Sequence, residues 1–152
     1  MLDILNNKGK IGLMEYIVLR LKPNQDLHDE LEKVVSEKKL DAACLLTCVG
    51  SLTTANIRYA NQENGTVLKG HFEIVSLTGV MSRHGSHYHI SIANKLGEVI
   101  GGHLLSGCKI YTTAELVLGI VPEHVLLRTM DPNTGYPELD IRCSPNHSRS
   151  LK

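Results

Sequence analysis

Apolar and polar residues alternate along much of this chain, with the two-residue period of a half-buried strand. Residues 15–21 read Glu-Tyr-Ile-Val-Leu-Arg-Leu and predict a strand, which Pro23-Asn24-Gln25 stops. The period then changes. Leu27, Leu31, Val34, Val35 and Leu40 form a stripe at helical spacing. Asp26 stands where an N-cap is needed, and Asp29 and Glu30 suit a first helical turn. From Ala42 onward the pattern favours strands. Residues 42–49 are nearly continuous and apolar, as in a strand covered on both faces. Gly50-Ser51 is expected to break it, with a further strand over residues 55–60 and turn residues at 61–65. Residues 72–80 and 108–112 read as strands. Residues 113–121 fit a helix or a strand, and their β-branched content favours the strand. Residues 125–130 are expected to be the last strand, before the turn Asp131-Pro132-Asn133-Thr134-Gly135. One helix and about seven strands imply an α+β domain, mainly antiparallel sheet with a flanking helix. The pattern divides the chain into a flexible arm over 1–13, a domain over 14–142 and a polar tail over 143–152.

One hairpin carries the candidate chemistry. His87-Tyr88-His89-Ile90-Ser91-Ile92 alternates as a strand, Ala93-Asn94-Lys95-Leu96-Gly97 supplies a turn, and Val99-Ile100-Gly101-Gly102-His103-Leu104 returns. His87 and His89 are two apart, so a strand points both to one face. A three-residue loop with Gly97 left-handed places His89 opposite His103. A register shifted by one would send His103 to the other face. Three converging imidazoles are the usual protein contribution to an open zinc site, with one position left for water or ligand. The competing reading is structural, with neutral imidazoles hydrogen-bonded across strands.

Composition narrows the partners. The chain has 152 residues, enough for one domain with a sizeable core. Sixteen basic residues balance sixteen acidic ones, so net charge gives no support to nucleic-acid binding. No apolar run is long enough to span a bilayer, so no membrane partner is expected. Four cysteines without a CxxC pair and no evident signal peptide point to the cytoplasm or another reducing intracellular compartment. Glu73, charged within an apolar strand, is the candidate catalytic base or a partner orienting a ligand histidine. Its plainer reading is a solvent-facing position. Gly101-Gly102 suggests a bulge or the close approach of another backbone. Cys108 reads as a buried structural thiol more readily than as a reactive one.

The order of these pieces resembles the PPC domain, named for plants and prokaryotes. The matching segments are Cys48-Val49-Gly50-Ser51-Leu52-Thr53, Phe72-Glu73-Ile74-Val75-Ser76-Leu77-Thr78-Gly79, His87-Tyr88-His89-Ile90-Ser91, Gly101-Gly102-His103-Leu104, Gly107-Cys108 and Thr112-Thr113-Ala114-Glu115-Leu116-Val117-Leu118-Gly119. The resemblance implies an antiparallel sheet with a flanking helix, assembled as a homotrimer. Plant members carry an Arg-Gly-Arg-Pro AT-hook core outside the domain, and no such core occurs in this sequence. The stand-alone branch carries histidines at the positions of His87, His89 and His103, and this chain looks like that branch. The leading expectation is therefore a trimeric module binding a divalent metal, zinc by preference, with a small-molecule ligand at the metal. A zinc-dependent enzyme using Glu73 is the first alternative. A DNA-associated assembly protein is the second, without autonomous DNA binding.

Overall fold

The computed structural model describes residues 14–145. The expected arm over 1–13 lies outside the described residues, as does the expected tail from 146 onward. Nine elements follow in order: β1 (Glu15–Leu21), α1 (Leu27–Glu37), β2 (Ala43–Arg58), β3 (Thr66–Met81), β4 (His87–Ala93), β5 (Val99–Leu104), β6 (Lys109–Ile120), β7 (His124–Met130) and β8 (Pro137–Cys143). Six strands form one antiparallel sheet in the order β1-β6-β2-β3-β4-β5. The end of β2 also pairs with β5, Ile57 facing Leu104 and Arg58 facing His103. Strands β2 to β5 therefore close on themselves. β7 and β8 form a separate hairpin.

The helix forms for the reasons its sequence gives. Asp26 accepts from the backbone N–H groups of His28 and Asp29, at 3.1 and 3.3 Å, satisfying two donors that a helix start leaves orphaned. Leu27, Leu31 and Val35 then bury one face of α1. They join Leu52, Ile57, Met81, Ile90, Ile92, Ile110, Leu116 and Leu118 in a single core. Full burial of each such side chain contributes about 1.5–3 kcal/mol.

Three expectations need correction. Gly50-Ser51 does not break the strand, and β2 runs through it. The glycine marks close passage instead: a Cβ at Gly50 would strike the carbonyl oxygen of Thr113 and the Cα of Ala114 on β6. Residues 108–112 and 113–121 are not two elements, because β6 runs from Lys109 to Ile120. Among the described residues there are eight strands against the expected seven or so, the addition being Pro137–Cys143, which forms β8 against β7 where no strand was expected. Its proline sits at the strand's first residue, where no ladder donor is lost from the interior. The hairpin is tied to the main body through backbone groups. Leu126 N–H donates to Asp41 O at 2.8 Å, and the buried Ser82 hydroxyl donates to Leu126 O at 2.6 Å. Cys143 ends β8, and the buried Ser144 donates its N–H to Glu123 O at 2.8 Å.

Candidate metal centre

The register of the β4–β5 hairpin depends on its loop. Asn94 N–H donates to Glu98 O at 3.0 Å, and Gly97 N–H to Asn94 O at 2.9 Å. That leaves Lys95, Leu96 and Gly97 as the loop, with Gly97 at φ +80°. The Asn94 side-chain oxygen accepts from Leu96 N–H and Glu98 N–H, at 2.9 and 3.1 Å. This is the three-residue loop read from the sequence, and it sets His89 opposite His103. Tyr88, Ile90 and Ile92 point into the core, so His87 and His89 point out. The Tyr88 hydroxyl donates to Glu32 of α1 at 2.8 Å and pins the strand from its buried side.

The three imidazoles meet on the outer face. His87 Nε2 and His103 Nδ1 are 3.1 Å apart, in rings stacked at 16°. The His89 ring stands edge-on to both, with centroids 4.9 Å from His87 and 4.5 Å from His103. One nitrogen from each ring lies within 4.8 Å of the others. Nitrogens bound to one zinc at about 2.0–2.1 Å in tetrahedral geometry stand roughly 3.3 Å apart. The His87–His103 contact is at hydrogen-bond distance and close to that spacing, and the His89 nitrogen lies within 4.8 Å of both. The donor set is all imidazole, which fits zinc. Partial burial is the main reason that His103 is drawn down to about 4, with the Arg58 guanidinium and the two other rings adding to it. Burial also lowers His87, helped by the charges of His89 and Arg128 and opposed by Glu138. Both effects favour the neutral imidazole, the form a metal needs.

Other candidates fall elsewhere. Glu73 is exposed, and it faces Ala93 across β3–β4. Ala93 is four residues along β4 from His89, about 13 Å at strand rise, so the register does not bring Glu73 to the trio. The glycine pair does mark close approach. A Cβ at Gly101 would lie 2.5 Å from Ile90 O, and one at Gly102 the same distance from Arg58 O. Sequence patterning did not single out Arg58, Arg128 or Glu138, whose charges all act on these histidines. Pairing of β2 with β5 brings Arg58 near, and the separate β7–β8 hairpin brings Arg128 and Glu138.

Cys108 is buried, and burial pushes its thiol up to about 11; Cys48 rises to about 12 for the same reason. The thiolate is the nucleophile. Iodoacetamide at pH 8 is therefore expected to label the exposed Cys143 in native protein, and Cys48 and Cys108 only after unfolding. Peptide mapping by mass spectrometry checks this, and native labelling of Cys108 as fast as that of Cys143 would contradict it.

These features define a small antiparallel β domain with an outward-facing histidine cluster. The chain belongs to the Plants and Prokaryotes Conserved (PCC) domain family, whose profile matches residues 10–122. It is 44% identical over 131 residues to a bifunctional protein GlmU of Synechococcus sp. (strain JA-2-3B'a(2-13)), covering 86% of this chain and 21% of that protein. The chain thus spans about a fifth of that relative's length. A solved structure of a hypothetical protein from Salmonella cholerae-suis superposes with a TM-score of 0.85 at 37% identity, covering 88% of this chain and 97% of that one. Another, a metal-containing protein from Archaeoglobus fulgidus, gives a TM-score of 0.70 at 31% identity, covering 83% and 93%.

Proposed function

We propose that this chain forms a homotrimeric metal-binding module in which His87, His89 and His103 hold one divalent ion per chain. The observation that carries the reading is the convergence of three imidazole nitrogens within 4.8 Å on one sheet face. The similarity to a metal-containing protein of Archaeoglobus fulgidus supports it. Imidazole also suits copper, nickel and iron. Zinc is preferred because three neutral histidines with one open position are a common tetrahedral arrangement for it. Such an ion would supply Lewis acidity to a small molecule bound beside the three histidines. An enzymatic reading through Glu73 gains nothing from that residue's place in the sheet. The four free thiols suit a reducing compartment such as the cytoplasm. No helix among the described residues is long and apolar enough to cross a membrane. Elemental analysis of zinc-loaded protein after desalting is expected to give about one ion per chain. No retained zinc after loading would reject the module.

Self-association rests on the outer face of β1, β6 and β2. Tyr16, Val18, Leu46 and Val49 are all exposed there, at 72, 68, 47 and 63%. A cluster of large apolar side chains facing water marks an interaction surface. Light scattering coupled to size exclusion is expected to give about three times the 16.8 kDa chain mass. A clean monomer at micromolar concentration would reject the trimer.

We expect no autonomous binding to duplex DNA. DNA binders cluster Lys and Arg to neutralise phosphates, whereas here bases and acids balance at sixteen each. Fluorescence anisotropy with an AT-rich duplex at moderate salt should stay flat at low micromolar protein. Tight, salt-sensitive binding would reverse that reading.

A further inference from the structure

Beside the histidines stand two arginines that form no ion pair with a carboxylate among the described residues. Arg58 lies directly opposite His103 where β2 meets β5. Residues opposed in an antiparallel pair project to the same side of the sheet. One cross-strand row therefore reads Thr78, His89, His103, Arg58 over β3, β4, β5 and β2. The Arg58 guanidinium donates one hydrogen bond, from Nη1 to Gln62 O at 3.2 Å. Arg128 approaches from the β7–β8 hairpin. Its stem lies over Gly85, two residues before His87, so close that a Cβ on the glycine would sit 2.9 Å from Arg128 Cγ. Both arginines are half-buried. Among the described residues, the ion pairs involve Arg83 and Arg142 but neither Arg58 nor Arg128. Glu138, the carboxylate felt by His87, accepts from the Thr134 hydroxyl at 3.1 Å.

Three neutral imidazoles bring no charge to cancel a divalent ion. The two guanidiniums add positive charge, and Glu138 offsets one unit. A half-buried guanidinium with unused donors is a site for a planar, bidentate anion. We propose that Arg58 and Arg128 bind the oxyanion end, carboxylate or phosphate, of a small-molecule ligand seated beside the His87–His89–His103 centre. This rests on the metal reading above and assigns its ligand class. It also gives the hairpin beyond the matched residues 10–122 a role, because that hairpin supplies one of the two arginines.

The test uses the full chain, loaded with zinc and analysed for metal before each titration. Isothermal calorimetry then follows binding of inorganic phosphate and, separately, of oxalate. Wild type is expected to bind at least one of them, and the tighter of the two identifies the oxyanion type. Arg58→Gln and Arg128→Gln are each expected to keep zinc at the wild-type ratio. Each should weaken oxyanion binding roughly 10- to 100-fold, the effect of losing a hydrogen bond to a charged group. Arg58→Lys and Arg128→Lys should recover part of that loss, since they restore charge without the fork. Equal binding by wild type and both Gln variants, or no binding of either anion by zinc-loaded wild type, overturns the inference and leaves the metal reading intact. Loss of zinc from the Gln variants also overturns it, by assigning the arginines to histidine placement. Wild type that takes no zinc overturns both.

Discussion

Replacing His89 with alanine is expected to reduce bound zinc from about one ion per chain to a small fraction of that. The His89 ring stands edge-on to both others, at centroid distances of 4.9 and 4.5 Å. Removing it leaves His87 and His103, which stack on each other and offer two donors. Structural zinc sites with four protein ligands bind with about 10–16 kcal/mol, so one ligand carries roughly 2.5–4 kcal/mol. That share corresponds to an affinity loss of about 100- to 1,000-fold. The fold should survive, because the His89 side chain is exposed and buries nothing in the core. His71→Ala is the control. That histidine packs against Tyr111, with ring centroids 4.4 Å apart and planes tilted by 50°, and belongs to no metal-ligating group among the described residues. Elemental analysis of both variants after identical loading and desalting, with circular dichroism to verify folding, decides the matter. Equal zinc in the two would remove His89 from the site.

The parts of this site that were legible in the sequence are those set by neighbours along the chain. Two histidines at strand spacing share a face whatever the rest of the protein does. A glycine at the end of a short turn selects the loop, and the loop selects the register. Gly97 at φ +80° therefore carries the information that puts His103 opposite His89. The helix was legible for the same reason, since Asp26 and the stripe behind it act within one or two turns. What the sequence hid is set by pairing at a distance. Gly50 looks like a breaker until β6 is seen pressed against it. Leu139 and Ile141 alternate in β8, but five residues of turn chemistry before them masked a hairpin that contacts with Ser82 and Asp41 help to hold in place. Arg58 stands at the end of β2 and Arg128 in the middle of β7, each far in sequence from the histidines its charge acts on. No periodicity connects them, so the charges around the centre emerge only with the closure of β2 on β5 and the docking of the hairpin.

That closure also makes Gly102 the residue on which the histidine geometry depends. Gly102→Ala is expected to weaken zinc binding about tenfold or more, at the lower end of what lost support around ligands costs, and to lower stability by roughly 1–3 kcal/mol. The added Cβ would lie 2.5 Å from Arg58 O and 3.0 Å from Ile57 Cγ2. The first of these is backbone and has no rotamer by which to retreat. Relief must come from moving β5 away from β2, and His103 is the next residue on the moving strand. A shift of a few tenths of an ångström there separates His103 from His87, whose nitrogens stand 3.1 Å apart. The stability loss and the zinc loss therefore share one cause. Gly135→Ala separates it from the general cost of a side chain at a glycine position. Gly135 has φ +75° with nothing within 4 Å of a Cβ, and it lies in the β7–β8 turn. That variant should lose stability by about 1–2 kcal/mol from left-handed backbone strain and keep wild-type zinc affinity. Thermal melts of the zinc-free proteins and competition of each variant with a chromogenic chelator measure the two effects separately. A Gly102→Ala protein that binds zinc like wild type would show that β5 absorbs the added methyl without moving His103.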